Sequence, residues 1–335
     1  MTDALYYDAG GSNPDLYRES VAYDANSNIT MLTRTGKKTS GNGCIDRLNY
    51  ATYTGNQLKA IRDSVGNSAI YNGAFEFRQV NGHKTTQYTY NTNGAMKYDL
   101  NRGIVKMDYD LLGYPKRIQF YNGNVIEYIY AADGTRLRTI HRTAVSGIRV
   151  STNGTHILTG AETLALDSTD YVGALLFHGN SFSKYLFDDG YVTYTGSTPS
   201  MYFYLWDHQG NNRAVAKFAT LSYENPSLSQ TTYYYPYGGV FGDLGSFPES
   251  QPYKYNGKEF DRMHGLDWYD FVARQYDPAI GRFTSMDPHT EKYYHISPYA
   301  YCAGNPINAI DPNGCDTLNI SFNQEKWILV HPTNA

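Results

Sequence analysis

Hydrophobic and polar residues alternate along most of the chain with a period of two. In Val125-Ile126-Glu127-Tyr128-Ile129-Tyr130, Val125 and Ile129 share one face, and Ile126, Tyr128 and Tyr130 share the other. That spacing predicts a strand. Such stretches end in Tyr, then Asp or Asn, then Gly or Asn, and a second strand follows, often opening with a basic residue beside an aliphatic one. Tyr23-Asp24-Ala25-Asn26, Tyr88 to Gly94, Tyr109 to Ile118 and Tyr130 to Leu137 are copies, and Tyr204 to Asn211 is a looser one. Tyr71, Tyr90, Tyr109 and Tyr130 follow one another at intervals of 19, 19 and 21 residues. Asp and Asn start turns by bonding the backbone two residues on, and Gly accepts positive φ. A ~20-residue unit of this kind is a hairpin, too small to bury its own apolar face. Neighbours must stack, which predicts a long β-strip over residues 1–240, blurred between about 140 and 200. Residues 233–238, Tyr-Tyr-Tyr-Pro-Tyr-Gly, are expected to open a different region.

Composition sharpens this into an all-β reading. The chain has 335 residues, with 34 Tyr, 14 Phe, 3 Trp and 31 Gly. Tyr and Thr favour strands, and Gly and Asn favour the turns between them. The net charge of −4 offers no basic field for a phosphate backbone, so nucleic acid is disfavoured as a partner. No apolar run approaches the ~20 residues of a membrane span. Cys44, Cys302 and Cys315 form no CxxC and leave an odd count, so neither a disulfide framework nor a zinc site is readable. His264, His289 and His295 have no ligand spacing to Cys302 or Cys315, and no cofactor is expected. Asp24-x-Asn26-x-Asn28 imitates the start of a calcium loop, but Ile29 and Thr35 stand where Gly and Glu are required, so it is read as a turn. The N-terminus lacks the layout of a signal peptide.

From Gln251 to Gly314 the chain becomes dense in Asp-Pro, Asn-Pro and Gly. Tyr255-Asn256-Gly257-Lys258-Glu259-Phe260-Asp261, Leu266 to Pro278, Gly281-Arg282-Phe283-Thr284-Ser285-Met286-Asp287-Pro288, and Ser297 to Pro306 through Ile310-Asp311-Pro312-Asn313-Gly314 follow in order. This block resembles the RHS (rearrangement hotspot) repeat-associated core domain, in a variant similar to those common in Bacteroidetes. The Tyr-Asp-x-x-Gly units resemble YD repeats. The resemblance implies hairpins joined into one spiralling sheet, a hollow shell segment closed by the core over residues 251–314. It implies a scaffold that encapsulates or delivers a C-terminal effector of polymorphic-toxin type, its partners being its own or a neighbouring effector polypeptide and a secretion apparatus or cell-surface target. It places the protein outside the cell or on its surface. Residues 315–335 are too short for an independent toxin fold. Ile320 and Phe322 alternate before the apolar run Trp327-Ile328-Leu329-Val330, which predicts one or two strands docked on the core. A cargo-less or truncated copy is expected. A cell-surface adhesion or recognition protein is the rival reading.

The resemblance also implies the sharpest chemistry. In relatives, two Asp-Pro-x-Gly motifs form an aspartyl autoprotease that cuts just after the second. Here that makes Asp287 and Asp311 the candidate dyad and Gly314–Cys315 the candidate cleavage site. Two close carboxyls cannot both ionise, so one remains an acid while the other activates water. The first motif reads Asp287-Pro288-His289-Thr290, without its Gly, and Cys315 stands where self-cleaving relatives usually have Leu. Asp-Pro also starts turns, and structural turns are the preferred reading. Arg274 and Arg282 are read as strand-face ion pairs rather than partners of the dyad, Cys315 as a small tail residue, and the tyrosines as rings packed on strands with wet hydroxyls.

Overall fold

The structure is a computed structural model describing residues 3–4, 17–66, 75–79, 84–218, 226–245, 251–323 and 326–330. It is all-β, with no α-helix among the described residues. Five strands, from Asp3–Ala4 to Gln57–Asp63, make a first sheet, and fourteen, from Tyr88–Tyr90 to Val240–Gly245, make a second. Both are meanders in chain order with every pair antiparallel. Gln87 joins them: its N–H donates to Lys59 O at 2.7 Å, and its Oε1 accepts from the Ile61 N–H at 2.6 Å.

One turn recurs through both sheets. Tyr23 pairs with Ile29, Tyr90 with Met96, Tyr109 with Pro115, Tyr130 with Arg136, and Trp206 with Asn212, always six residues on. The register shifts immediately before each aromatic, so every unit carries a bulge there. The Asp or Asn after the aromatic explains the motif. Oδ1 of Asp24 accepts from the N–H groups of Asn26 and Asn28 at 2.8 and 2.9 Å; Asp110 does the same for Leu112 and Tyr114, and Asp207 for Gln209 and Asn211. The fourth residue of the turn has positive φ, as at Gly113 (89°) and Gly210 (72°), which is why glycine recurs there. Tyr234 pairs with Val240 by the same six-residue step, with Gly238 at φ 84°. Residues 233–238 are therefore a further copy of the repeat turn, not a new region. The Tyr71 copy lies outside the described residues.

The tyrosine hydroxyls stitch one unit to the previous one. Tyr109 donates to Met96 O at 2.6 Å, Tyr53 to Ile29 O at 2.7 Å, and Tyr234 to Asn212 O at 2.7 Å. Each acceptor is the residue that closes the preceding turn. These hydroxyls bond protein rather than water, because the carbonyls they reach sit against the buried face. Removing one leaves a carbonyl short of its partner. Tyr109→Phe is therefore expected to cost about 1–2 kcal/mol in urea denaturation; no change would show the hydroxyl to be incidental.

Residues 251–311 pack against the buried face of both sheets. Four short strands, Glu259–Asp261, Trp268–Asp270, Gln275–Asp277 and Arg282–Phe283, form their centre. Trp268, Tyr269, Phe271 and Tyr276 are fully buried in one cluster with Leu32, Leu48, Ile104, Ile118 and Ile126. Turns far apart along the strip converge on this core. Ser297 N–H donates to Asn26 O, Met96 N–H to Thr284 O, Asn256 Nδ2 to Gln209 O, and Tyr276 OH to Tyr237 O. A strip whose residues 26, 96, 209 and 237 all touch one small core must curl around it.

Buried arginines pin the strip in place. Arg34, with Glu19 and Asp46, is wholly buried and donates across to Pro278 O and Ala279 O at 2.8 and 3.0 Å. Arg102 pairs with Asp277 at 2.6 Å, and Arg136 with Glu259 and with Asp270. Arg282 is buried too, but its donors go to Asn28 Oδ1, Tyr53 OH and Asn56 O, so it is not the strand-face ion pair expected.

A histidine pair lies on the same seam. His141 Nε2 is 2.9 Å from Asp261 Oδ2, which raises His141 although burial opposes the charge. Nearby His264, at φ 58°, is pushed down to about 4, first by burial and then by His141, with Asp261 opposing. A depressed imidazole stabilises the fold fully above pH 6.5 and loses that contribution as pH falls toward about 4. His264→Gln is expected to lose less stability than the parent between pH 7 and about 4.5, measured by thermal melts at each pH. Equal losses would contradict this account of the seam.

Candidate active site

Asp287 and Asp311 meet at Arg274. Both follow short strands of the core, Arg282–Phe283 and Ala309–Ile310, and each starts a turn through its proline. Arg274 Nη2 donates to Asp287 Oδ2 at 3.0 Å and to Asp311 Oδ2 at 3.1 Å. Nη1 donates to Pro298 O at 3.1 Å, and the guanidinium lies 3.6 Å from the centre of the Phe283 ring. The Arg274 side chain is 2% exposed, so the surface pair read from the sequence is corrected: this is a buried cation between two carboxylates. Burial raises both acids, and Arg274 works against that in each. The same burial lowers Arg274 itself.

The Gly314–Cys315 peptide is held in the same node. Arg274 Nε donates to Gly314 O, and Asp311 Oδ1 accepts from the N–H groups of Gly314 at 2.7 Å and Cys315 at 3.1 Å. Gly314 has φ 77°, and a Cβ there would meet Phe271 O at 2.9 Å, so glycine is required for the chain to pass. One guanidinium thus touches both carboxylates and the Gly314 carbonyl. Such a donor stabilises charge developing on a carbonyl oxygen, and a neighbouring carboxyl can protonate an amide leaving group. Asp287 Oδ1 is occupied by the His289 N–H at 2.7 Å. Burial pushes the Cys315 thiol up to about 11, so it is neutral near pH 7 and unsuited to act as a nucleophile. Beyond it, Asp316 receives His289 Nδ1 at 3.0 Å and Lys292 Nζ at 3.3 Å. The strands Leu318–Asn323 and Lys326–Val330 then pair with each other, and the first also pairs with Ala309–Ile310.

Sequence reasoning named Arg274 but ranked a partnership with the dyad below a strand-face ion pair, and it missed the peptide contacts. Only the resemblance pointed at the two aspartates, and spacing carries no trace of a guanidinium arriving from a neighbouring strand. Among the described residues no group of His, Cys, Asp and Glu has the geometry to hold a metal ion.

No family model matches the chain. It is 40% identical over 111 residues to salivary gland surface protein 1 of Aedes aegypti, covering 33% of this chain and 3% of that protein. It is 24% identical over 316 residues to the tRNA3(Ser)-specific nuclease WapA of Bacillus spizizenii and to the tRNA nuclease WapA of Bacillus subtilis, covering 84% of this chain and 11% of each. Among solved structures, TcdB2-TccC3-Cdc42 aligns with 93% of this chain and 19% of its own, at 14% identity and a TM-score of 0.47. TcdB2-TccC3 without its hypervariable C-terminal region aligns likewise, at a TM-score of 0.45. The chain therefore spans a small fraction of each protein it matches.

Proposed function

We propose that this chain is a segment of an RHS/YD-repeat scaffold that carries or delivers a polypeptide effector outside the cell or at its surface. The observation that carries the reading is the convergence of distant strip turns on one core, which makes a curled wall rather than a flat sheet. The repeat turn, with its aromatic, Asp and Gly, supports the YD assignment, and the likeness to WapA nucleases agrees with an effector-bearing relative. In this reading residues 1–240 are wall, 251–314 core, and 315–335 a C-terminal tail of which Leu318–Asn323 pairs with the core strand Ala309–Ile310. Its partners are an effector polypeptide and an export or target surface. The test is a reporter enzyme fused after Ala335, compared with the same reporter free, under limited proteolysis. A scaffold that holds its passenger slows cleavage of the reporter several-fold; equal rates would reject that role.

A second reading has its own observation, the seating of the Gly314–Cys315 peptide between Arg274 and Asp311. Water activated by Asp287 would add to the Gly314 carbonyl while Arg274 holds its oxygen. Protonation of the Cys315 nitrogen by the acid form of Asp311 would then break the bond, leaving a Gly314 carboxyl and a Cys315 amine. Intact mass after purification separates the two readings. A purely structural turn keeps the whole 37.8 kDa chain. A product ending at Gly314, abolished by Asp311→Asn, would establish the protease.

A further inference from the structure

We propose that the cavity between the strip and the core binds a neutral oligosaccharide. The cavity holds about 700 Å³, within the range of small-ligand sites. Its floor is the inner face of the strands from Arg136–Ala144 to Thr198–Trp206, and its roof is the core segment from Pro252 to Met263. This inference rests on the cavity alone and not on the scaffold reading.

Register arranges the floor in two kinds of row. Thr139 lies opposite Thr169, and Thr169 opposite His178, giving a polar row across three strands. Two residues along, Tyr171 lies opposite Leu176, which lies opposite Lys184, with Tyr191 opposite Tyr202 further on. Side chains on one face repeat every second residue, so the rows run about 7 Å apart. A pyranose has an apolar ring face and a rim of hydroxyls. It would span such rows with its face on the aromatic and aliphatic side chains and its rim toward the threonines and His178.

The charges of the wall are spent on one another. Arg136 is taken by Glu259 and Asp270, His141 by Asp261, and His178 Nε2 lies 3.3 Å from Asp167 Oδ1. Lys184 caps the Tyr191 ring at 5.0 Å. A wall of paired charges presents donors and acceptors with little net field, which suits a polyol better than an anion. Two other polar atoms on lining residues, Arg136 Nε and Thr139 Oγ1, are buried without a hydrogen-bond partner among the described residues. They provide one donor and one acceptor for ligand hydroxyls, since buried polar atoms are ordinarily satisfied. A peptide adding as a strand needs an open sheet edge, and these strands are each paired on both sides.

The experiment is saturation-transfer NMR on the whole chain with chitotriose, cellotriose, maltotriose and mannotriose as separate probes. Transfer to at least one of them is expected. For that sugar, His178→Ala and Asp167→Asn are expected to weaken binding tenfold or more. The His178 side chain is 61% exposed, so its removal is expected to leave the fold standing. Leu166→Ala, next to Asp167 but on the opposite face of the strand Thr163–Val172, should bind as the parent does. The proposal is overturned by silence from all four sugars at millimolar concentration, or by binding that ignores both cavity variants. It is equally overturned if poly-glutamate or an RNA oligonucleotide binds while the sugars do not.

Discussion

Arg34→Ala should be among the most damaging single substitutions in this chain, costing about 3–5 kcal/mol and reducing soluble yield. The side chain is fully buried, with Glu19 on Nε at 2.7 Å and Asp46 on Nη1 at 3.1 Å. Without it, two buried carboxylates lose their cation, and the carbonyls of Pro278 and Ala279 lose their donors. Asp46 is already raised to about 6 by burial even with Arg34 beside it. The surroundings cannot relax easily. Glu19 also holds the Tyr237 N–H, Asp46 holds the Phe77 N–H, and Phe75 and Tyr235 cover the guanidinium. One residue therefore ties the first sheet, the core and the last repeat turn together. Urea denaturation of parent and variant measures the effect, and a loss below about 1 kcal/mol would mean that the pin is not structural.

Arg274→Met should cost a comparable 3–5 kcal/mol at neutral pH, because a buried ion pair broken from one side leaves the other charge uncompensated. Here two carboxylates are left, together with the Gly314 and Pro298 carbonyls. The pH dependence gives the mechanism away. Burial already raises Asp287 and Asp311, and Arg274 opposes it most strongly in each, ahead of the backbone N–H donors. Removing the guanidinium raises both further above their unfolded values. A raised carboxylate favours the fold at low pH and loses that contribution as pH rises through its folded pKa. The variant should therefore recover stability relative to the parent on going from pH 7 to pH 5. A deficit independent of pH would instead point to lost packing on Phe283.

The repeat was legible because its causes are local. Asp24, Asp110 and Asp207 bond amides two and four residues on, so the turn is written within five positions. Alternation likewise set Ile126 and Tyr128 on one face and Ile129 on the other; the first two are buried and Ile129 is exposed, although Val125 on Ile129's side is buried as well. What escaped is long-range. Arg34 meets carbonyls 244 and 245 residues away, and Arg282 meets Asn28 across 254, distances over which composition and period carry no information. Both arginines sit in strands whose alternation reads as ordinary, and charged residues are usually exposed. The tyrosine hydroxyls were misjudged for the same reason, since the carbonyls they reach belong to the previous unit or to the core. The dyad was visible only through the likeness of its motifs, and Arg274, though weighed as its partner, was taken for a strand-face ion pair because spacing does not show which strand meets the two turns. The cavity draws its lining from six strands and one core segment, each unremarkable alone.

Strip and core are expected to unfold as one cooperative body, the strip curled around the core and fixed by buried arginines and tyrosine hydroxyls. Differential scanning calorimetry of the intact chain tests this most directly. A single transition is expected, with agreeing calorimetric and van't Hoff enthalpies, shifted as a whole by Arg34→Ala. Two separable transitions, with Arg34→Ala moving only one of them, would contradict it.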